Sequence, residues 1–308
     1  MHLPPPPEPR PALFRHAVAL VGVLVGVLVG ISACSSSSGP AERLEPTSQV
    51  TVEEALTYWS DGEDELALDA CLPVEADEPT RAVVLLHGGG FTEGDRESGG
   101  MRRLCELTAE FGQAAFSIDY RLAPEHIWPA QVDDLANAVR WLREPAQVER
   151  FGIDPARIGA LGSSAGAIIA QSLATRGEGP LDSGERVAAV ASLSGVSVMT
   201  PEGIALGDPD EEATALALNY LGCTSAVNCP QAVPASPITG VDPTDPPMLL
   251  VNGTDELVPA EQAETMAAAL EDAGVPVQLL VVDEPAHGTA LLTTDVRRAA
   301  LAFLGENL

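Results

Sequence analysis

The chain has 308 residues, a hydrophobic fraction of 45%, an aromatic fraction of 4% and a formal net charge of −29. So acidic a chain excludes nucleic acid as a partner and disfavours binding to anionic lipid headgroups, because both carry negative charge. With few aromatic residues, the core must consist mainly of Ala, Val and Leu, which suits a parallel sheet covered by helices.

The first 33 residues have the pattern of a secretory signal peptide. Arg10 and Arg15 precede an apolar run over residues 17–33, and a basic region followed by a short apolar core and small residues is typical of such signals. The run ends in ISAC, with Cys34 last, which resembles a bacterial lipobox. This resemblance implies lipid attachment at Cys34 and export to the outer face of the cytoplasmic membrane; ordinary secretion and an uncleaved anchor are the alternatives.

Residues 34–49 are rich in Ser, Gly and Pro and predict a flexible tether. From residue 50 to residue 308, apolar runs alternate with segments of helical periodicity, which predicts one α/β domain with a mostly parallel, doubly wound sheet and helices on both faces. The predicted strands cover residues 66–72 (an edge strand), 82–86, 114–118, 157–161, 187–193, 247–251 and 277–282, and the predicted helices cover residues 131–143, 167–174, 261–273 and 293–304.

Four cysteines remain beyond Cys34, and an even number in an exported protein suggests disulfides. Cys223 and Cys229 lie six residues apart in a loop-like segment and are the best candidate pair. Cys71 and Cys105 are left as a second pair by elimination, with buried free thiols as the alternative. No cysteine or histidine spacing indicates a metal site, so we expect neither metal nor cofactor.

Ser164 is the candidate nucleophile. It is the central residue of Gly162-Ser-Ser-Ala-Gly166, which lies between the predicted strand 157–161 and a helix that begins with small residues. A G-x-S-x-G sequence in this context forms a tight turn that exposes the serine hydroxyl at the start of a helix, and its glycines let strand and helix pass close together.

Three consecutive glycines follow the predicted strand 82–86, in the sequence His87-Gly-Gly-Gly90. Such a run frees the backbone to turn its N–H groups toward a ligand. In acyl transfer, donors of this kind stabilise the oxyanion of the tetrahedral intermediate. The alternative interpretation is an ordinary glycine turn, and His87 itself is interpreted as a brace for this loop.

Acidic side chains and a histidine follow the last two predicted strands. Asp255 comes shortly after the strand 247–251, and His287 follows the strand 277–282. The order Ser164, Asp255, His287 is the order of the triad in α/β-hydrolases. Glu256 and Asp283 are the alternatives to Asp255 as the partner of His287.

Together these motifs, with Tyr120-Arg-Leu-Ala-Pro-Glu125 and Gly152-Ile-Asp-Pro-Ala-Arg-Ile158, resemble the hormone-sensitive-lipase-type esterases of the α/β-hydrolase superfamily. The resemblance implies Ser164 as nucleophile, His287 as general base and Asp255 as its orienting partner. It also implies an oxyanion hole formed by the N–H groups of three residues, Gly89, Gly90 and Ala165.

The chain departs from many of these relatives in leaving no room for an N-terminal helical cap, which makes it similar to the capless feruloyl and acetyl esterase-like members. The predicted function is therefore a serine carboxylesterase without a large cap domain, acting on short-acyl or carbohydrate-linked esters. A peptidase or amidase with the same triad, and a non-catalytic binding protein of the same fold, are the alternatives.

Overall fold

The computed structural model describes residues 49–75, 79–209 and 211–308. Cys34, the predicted signal peptide and nearly all of the predicted tether lie outside the described residues. The strands are β1 (Val50–Ser60), β2 (Glu65–Pro73), β3 (Thr80–Leu86), β4 (Ala114–Ile118), β5 (Ile153–Ser163), β6 (Val190–Leu193), β7 (Met248–Gly253) and β8 (Val277–Val282).

These strands form one sheet in the order β1-β2-β4-β3-β5-β6-β7-β8. The pairs β1–β2 and β2–β4 are antiparallel. The other six strands, β3 to β8, run parallel to one another. The chain passes from β3 to β4 on one side of β3 and continues with β5 on the other side, so the strand order reverses at this point. The loops that leave the carboxyl ends of the neighbouring parallel strands lie close together there, and α/β sheets bind their ligands at such a point.

Helices cover both faces of the sheet. They are α1 (Met101–Glu110), α2 (Ala130–Leu142), α3 (Pro145–Phe151), α4 (Ala165–Ala174), α5 (Pro201–Ile204), α6 (Glu211–Leu221), α7 (Ala260–Ala273) and α8 (Thr294–Asn307). Alternate residues of the central strands point to opposite faces. Val84 and Leu86 belong to the core that includes α2, α4 and α7, whereas Val83 and Leu85 belong to the core that includes α1 and α8.

This architecture confirms the predicted mostly parallel sheet with helices on both faces. The expectation that residues 66–72 form an edge strand is wrong, because β1 pairs with β2 along its outer side and takes the edge position. The helices α1, α3, α5 and α6 were not predicted. No helix within the described ranges is both long and apolar enough to cross a bilayer.

Residues 194–247 connect β6 to β7 and form the largest excursion from the sheet, which we call the β6–β7 insert. It carries α5, α6 and a disulfide between Cys223 and Cys229. A second disulfide joins Cys71 of β2 to Cys105 of α1, both of them buried. Besides α5 and α6, the described residues of the insert form only two short 3-10 helices, Ala226–Asn228 and Pro237–Gly240, so they build no large cap.

Candidate active site

Ser164 lies on a strained turn between β5 and α4. Its backbone has φ 53° and ψ −117° and forms the N-cap of α4, a conformation that costs a non-glycine residue on the order of 1–3 kcal/mol. A methyl group on Gly162 would lie 2.2 Å from the Gly166 carbonyl oxygen, and one on Gly166 would lie 2.4 Å from the Leu86 carbonyl oxygen. Both glycines are therefore required for β3, β5 and α4 to approach closely enough to hold this turn.

His287 connects Ser164 to a buried carboxylate. Its Nε2 lies 2.8 Å from Ser164 Oγ, and its Nδ1 is in a short contact with Glu256 Oε2. The Glu256 side chain is 0% exposed, whereas that of His287 is 30% exposed. A serine, an imidazole and a carboxylate in this sequence of contacts can move the hydroxyl proton to the imidazole and stabilise the resulting imidazolium.

The expectation that Asp255 orients His287 is wrong, because Glu256 makes that contact. Asp255 lies at φ 54° at the tip of the turn after β7 and is exposed. The side chain of the next residue, Glu256, is enclosed in the protein and contacts the imidazole. The sequence favours Asp255 because it lies in the turn directly after the strand, and it leaves Glu256 only as an alternative.

Two serines that the sequence analysis did not single out hold the loop that carries His287. Ser194 Oγ donates to Glu256 Oε1 at 2.8 Å and accepts from the Gly288 N–H at 2.9 Å. Ser163 Oγ accepts from the Thr289 N–H at 3.0 Å. Since Ser194 directly follows β6, the rule that functional residues follow parallel strands could have found it.

The second carboxylate oxygen of Glu256, Oε1, also accepts hydrogen bonds. Besides the Ser194 hydroxyl, Oε1 accepts from the Gly253 N–H at 2.8 Å and from Asn252 Nδ2 at 3.3 Å. A buried carboxylate needs such donors to remain charged. The turn after β7 therefore supplies both the acid and part of the cage that holds it.

The glycine loop after β3 lies beside the nucleophile. Gly89 and Gly90 have φ values of 110° and 57°, which favour glycine. A methyl group on Gly88 would lie 3.2 Å from Ser164 Cβ. Within the described part of the chain, the N–H groups of Gly89, Gly90 and Ala165 have no hydrogen-bond acceptor, so they are available to a ligand oxygen.

Tyr120 and Ala123 hold the glycine loop in place through contacts with its two ends. The Tyr120 hydroxyl donates to the His87 carbonyl at 2.9 Å, and the Tyr120 ring stacks on the His87 imidazole at 4.1 Å. The Ala123 N–H donates to the Phe91 carbonyl at 2.8 Å. His87 is buried, and its burial lowers the pKa of the imidazole, which favours the neutral ring. His87 therefore braces the loop, as interpreted from the sequence.

Ser164 lies between two cavities of different character. The first, which we call the apolar cavity, has a volume of about 60 Å³ and is lined mainly by aliphatic groups of α6, residues 196–204 and residues 257–259. The second, which we call the polar cleft, has a volume of about 540 Å³ and is lined by the glycine loop, by Glu93 and Glu212 and by His287. Only the polar cleft includes His287 among its lining residues.

Buried amides position the lining of the apolar cavity. Gln262 of α7 accepts from the N–H groups of Ser197 and Val198, both at 3.0 Å, and donates to the Gly203 carbonyl at 2.8 Å. Ser197 in turn donates to Gln171 of α4 at 2.8 Å. This network fixes the segment that leads from β6 to α5, which the sequence analysis did not resolve.

His126 and Trp128, in the segment before α2, lie away from Ser164. His126 contacts Asp64 at 3.1 Å near the β1–β2 turn. Trp128 packs at the edge of the core and lines a separate cavity at the far end of α4, about 15 Å from the nucleophile by the rise of the helix. Neither residue lines the apolar cavity or the polar cleft.

Comparison with known sequences finds named esterases among the relatives of this chain. The BD-FAE family model matches residues 68–270. Esterase LipU of Mycobacterium tuberculosis (strain ATCC 25618 / H37Rv) is 30% identical over 80% of this chain and 82% of its own length. Arylacetamide deacetylase of Bos taurus is 37% identical over 95 residues, so the chain covers 24% of that protein's length.

Solved structures give the same result for the fold. A truncated carbohydrate esterase from gut microbiota aligns with a TM-score of 0.71 at 25% identity, over 87% of this chain and 99% of that one. Esterase Est2 of Thermogutta terrifontis with bound butyrate aligns with a TM-score of 0.64 at 25% identity, over 86% of this chain and 95% of that one. These alignments confirm the predicted α/β-hydrolase fold.

Proposed function

Because this chain belongs to the BD-FAE family, we propose that it is a serine carboxylesterase that hydrolyses short-chain acyl esters of polar alcohols through an acyl-enzyme on Ser164. The observation that carries this proposal is the hydrogen-bonded series from Ser164 through His287 to the buried Glu256. The named esterases among its relatives support the same reaction class.

In the first half of the reaction, Ser164 Oγ attacks the ester carbonyl carbon while His287 Nε2 takes the hydroxyl proton. Glu256 holds the imidazole in the required orientation and stabilises the imidazolium. The N–H groups of Gly89, Gly90 and Ala165 stabilise the oxyanion, a contribution of about 3–4 kcal/mol per donor in comparable enzymes. The imidazolium then protonates the leaving alcohol, and the C–O bond to that alcohol breaks.

In the second half, water replaces the alcohol. His287 takes a proton from the water as its oxygen attacks the acyl carbon, and the proton then returns to Ser164 Oγ as the acyl-serine bond breaks. The free acid leaves and the serine hydroxyl is restored. All proton transfers in this scheme run through His287 Nε2.

We propose that each of the two cavities takes one part of the substrate. The alcohol must lie on the side of the imidazole that protonates it, and the polar cleft is the cavity that His287 lines. The acyl chain then occupies the apolar cavity, whose volume is about 60 Å³, against about 540 Å³ for the polar cleft. These sizes favour a short acyl group on a larger, hydroxyl-bearing alcohol such as a sugar.

Chemical labelling tests the proposal. The full-length chain in detergent is treated with a fluorophosphonate, and intact mass and hydrolysis of p-nitrophenyl acetate are measured beside Ser164→Ala. We expect one adduct and turnover in the wild type and neither in Ser164→Ala. Ser172→Ala, on the same helix but away from the site, is the matched control. A folded wild-type protein without adduct or turnover would exclude the esterase.

We propose further that the enzyme is exported and anchored through lipid on Cys34. Two disulfides within the domain are in keeping with an oxidising compartment. In a bacterial host, metabolic labelling with a fatty acid is expected to mark the wild type and not Cys34→Ser, and the variant is expected to leave the membrane fraction. Equal labelling of the two proteins would refute the anchor.

A further inference from the structure

The apolar cavity and the polar cleft are separated by very few side chains. Their linings share four residues: Gly90 and Ser164 of the reaction centre, and Leu216 and Leu257. Leu257 directly follows Glu256 and is fixed by the turn after β7. Leu216 instead belongs to α6 of the β6–β7 insert, so it can vary without altering the triad.

Leu216 packs directly on the glycine loop. A methyl group added at Gly90 would lie 2.5 Å from Leu216 Cδ2 and 3.0 Å from Cδ1. The isobutyl group therefore covers the Cα of an oxyanion-hole residue and faces the point where an acyl carbonyl would bind. An acyl chain that extends from the carbonyl carbon on this side contacts Leu216, which forms part of the wall of the apolar cavity.

We propose that Leu216 sets the maximum acyl length by separating the apolar cavity from the polar cleft. This inference rests on the proposed esterase function and assigns a specificity-determining residue to it. Truncation at Leu216 would join the 60 Å³ cavity to the 540 Å³ cleft, and longer acyl chains would then find space without displacing α6.

A neighbouring residue allows the opposite change. Ala217 is 9% exposed and also lines the apolar cavity. A leucine there would add three carbon atoms to a cavity that holds only a short chain. Leu218 lies on the same helix and lines neither cavity, so it is a matched control.

The test compares kcat/KM for p-nitrophenyl acetate, butyrate and hexanoate with the full-length chain in detergent. We expect the hexanoate-to-acetate ratio to rise at least about tenfold in Leu216→Ala, since single methylenes in apolar pockets change kcat/KM by about 10- to 200-fold. Ala217→Leu is expected to lower the butyrate-to-acetate ratio by about tenfold, and Leu218→Ala to keep the wild-type profile.

An unchanged chain-length profile in Leu216→Ala, or an equal loss on all three esters, would overturn this assignment. Fluorophosphonate labelling of Ser164 is measured on each variant in parallel. Labelling and acetate turnover that persist while the profile stays fixed would reject Leu216 as the determinant and leave the esterase standing. Loss of labelling in the wild type would instead reject the esterase itself.

Discussion

Glu256 shows how one residue position decides which of two adjacent carboxylates works with His287. The backbone of Asp255 turns through φ 54° and leaves its side chain exposed, whereas Glu256 points inward and is enclosed by donors from Ser194, Asn252 and Gly253.

We expect Glu256→Gln to lower kcat for p-nitrophenyl acetate by about 10³- to 10⁴-fold, as in comparable triads. An amide cannot stabilise the imidazolium and does not favour the required tautomer. Asp255→Asn is the matched control and is expected to stay within about twofold of the wild type. Steady-state kinetics of both variants decide the matter, and equal losses in the two would contradict the role given to Glu256.

Ser194 is a positioning residue, since it acts on Glu256 and on the loop of His287 rather than on the substrate. Ser194→Ala would leave the buried Gly288 N–H without its acceptor and would remove a donor from Glu256. An unpaired buried group costs about 1–3 kcal/mol, so we expect kcat to fall about tenfold or more with KM little changed. Ser192→Ala, a buried serine of β6 that bonds to Gln171, is the control, and a change confined to KM would argue against positioning.

At the scale of elements, the sequence was most informative where burial is complete. The strands β4 and β7 are buried throughout, and in β3 only Arg81 is half-buried. Their predicted cores, residues 82–86, 114–118 and 247–251, are apolar except for Ser117. In contrast, β1 is mostly exposed or half-buried and carries two adjacent glutamates, so its pattern does not stand out. Its pairing with β2 comes from the tertiary structure, and β2 was for that reason mistaken for the edge.

The candidate site was predictable in the same uneven way. Ser164 and the glycine loop directly follow β5 and β3, and His287 comes shortly after β8, so strand prediction was enough to bring them together. Ser194 follows β6 in the same way, but the rest of the β6–β7 insert follows no strand directly. Leu216 acquires its contact by packing against the glycine loop, and no local pattern in the insert predicts that contact.

The two disulfides should contribute unequally to stability. The Cys71–Cys105 bond spans 34 residues and joins β2 to α1, whereas Cys223–Cys229 spans six residues within the insert. Loop-entropy arguments give about 4 kcal/mol for the longer loop and about 2 kcal/mol for the shorter one.

We therefore expect the double replacement of Cys71 and Cys105 by Ala to lower the midpoint of thermal unfolding more than the double replacement of Cys223 and Cys229. Differential scanning calorimetry of both double variants measures this difference. A larger loss from the insert disulfide would contradict the loop-entropy argument.

The end of the β6–β7 insert carries a pH-sensitive contact. Asp245 is buried 3.4 Å from Arg186, and its burial raises the pKa of the carboxyl from 3.8 to about 6. Arg186 also donates to the carbonyls of Ala174 and Thr244. A carboxyl whose pKa is raised on folding stabilises the fold below about pH 4 and loses that contribution as the pH rises through about 6.

Relative to Asp245→Asn, the wild type is therefore expected to lose stability between pH 4 and pH 6, by at most about 3 kcal/mol at 1.36 kcal/mol per pKa unit. Denaturant unfolding of both proteins at several pH values measures the difference. A stability difference that stays constant across this range would contradict the raised pKa.

At the scale of the whole molecule, the chain has a net charge of −29, and two of its acidic side chains, Glu93 and Glu212, line the polar cleft. An alcohol that carries a carboxylate should therefore be disfavoured. We expect kcat/KM for 4-acetoxybenzoate to be about three- to tenfold below that for the neutral 4-acetoxybenzamide at low salt, from Coulomb repulsion at effective solvent dielectric.

The difference in kcat/KM between the two esters should become smaller in about 0.5 M NaCl, because salt screens exposed charges. It should also become smaller in the Glu93→Gln, Glu212→Gln double variant. Kinetics with this ester pair at two ionic strengths provide the check. Equal rates for the two esters at low salt would mean that neither carboxylate acts on the alcohol.

The separation of Leu216 from the triad has a consequence for how such an enzyme can diversify. The groups that break the ester follow the strands β3, β5, β7 and β8, whereas Leu216, which bounds the acyl chain, belongs to a connection between β6 and β7. Substitutions in α6 can therefore change which acyl chain is preferred, while the geometry of the catalytic residues stays the same. A lineage built on this chain could explore new substrates through one surface helix.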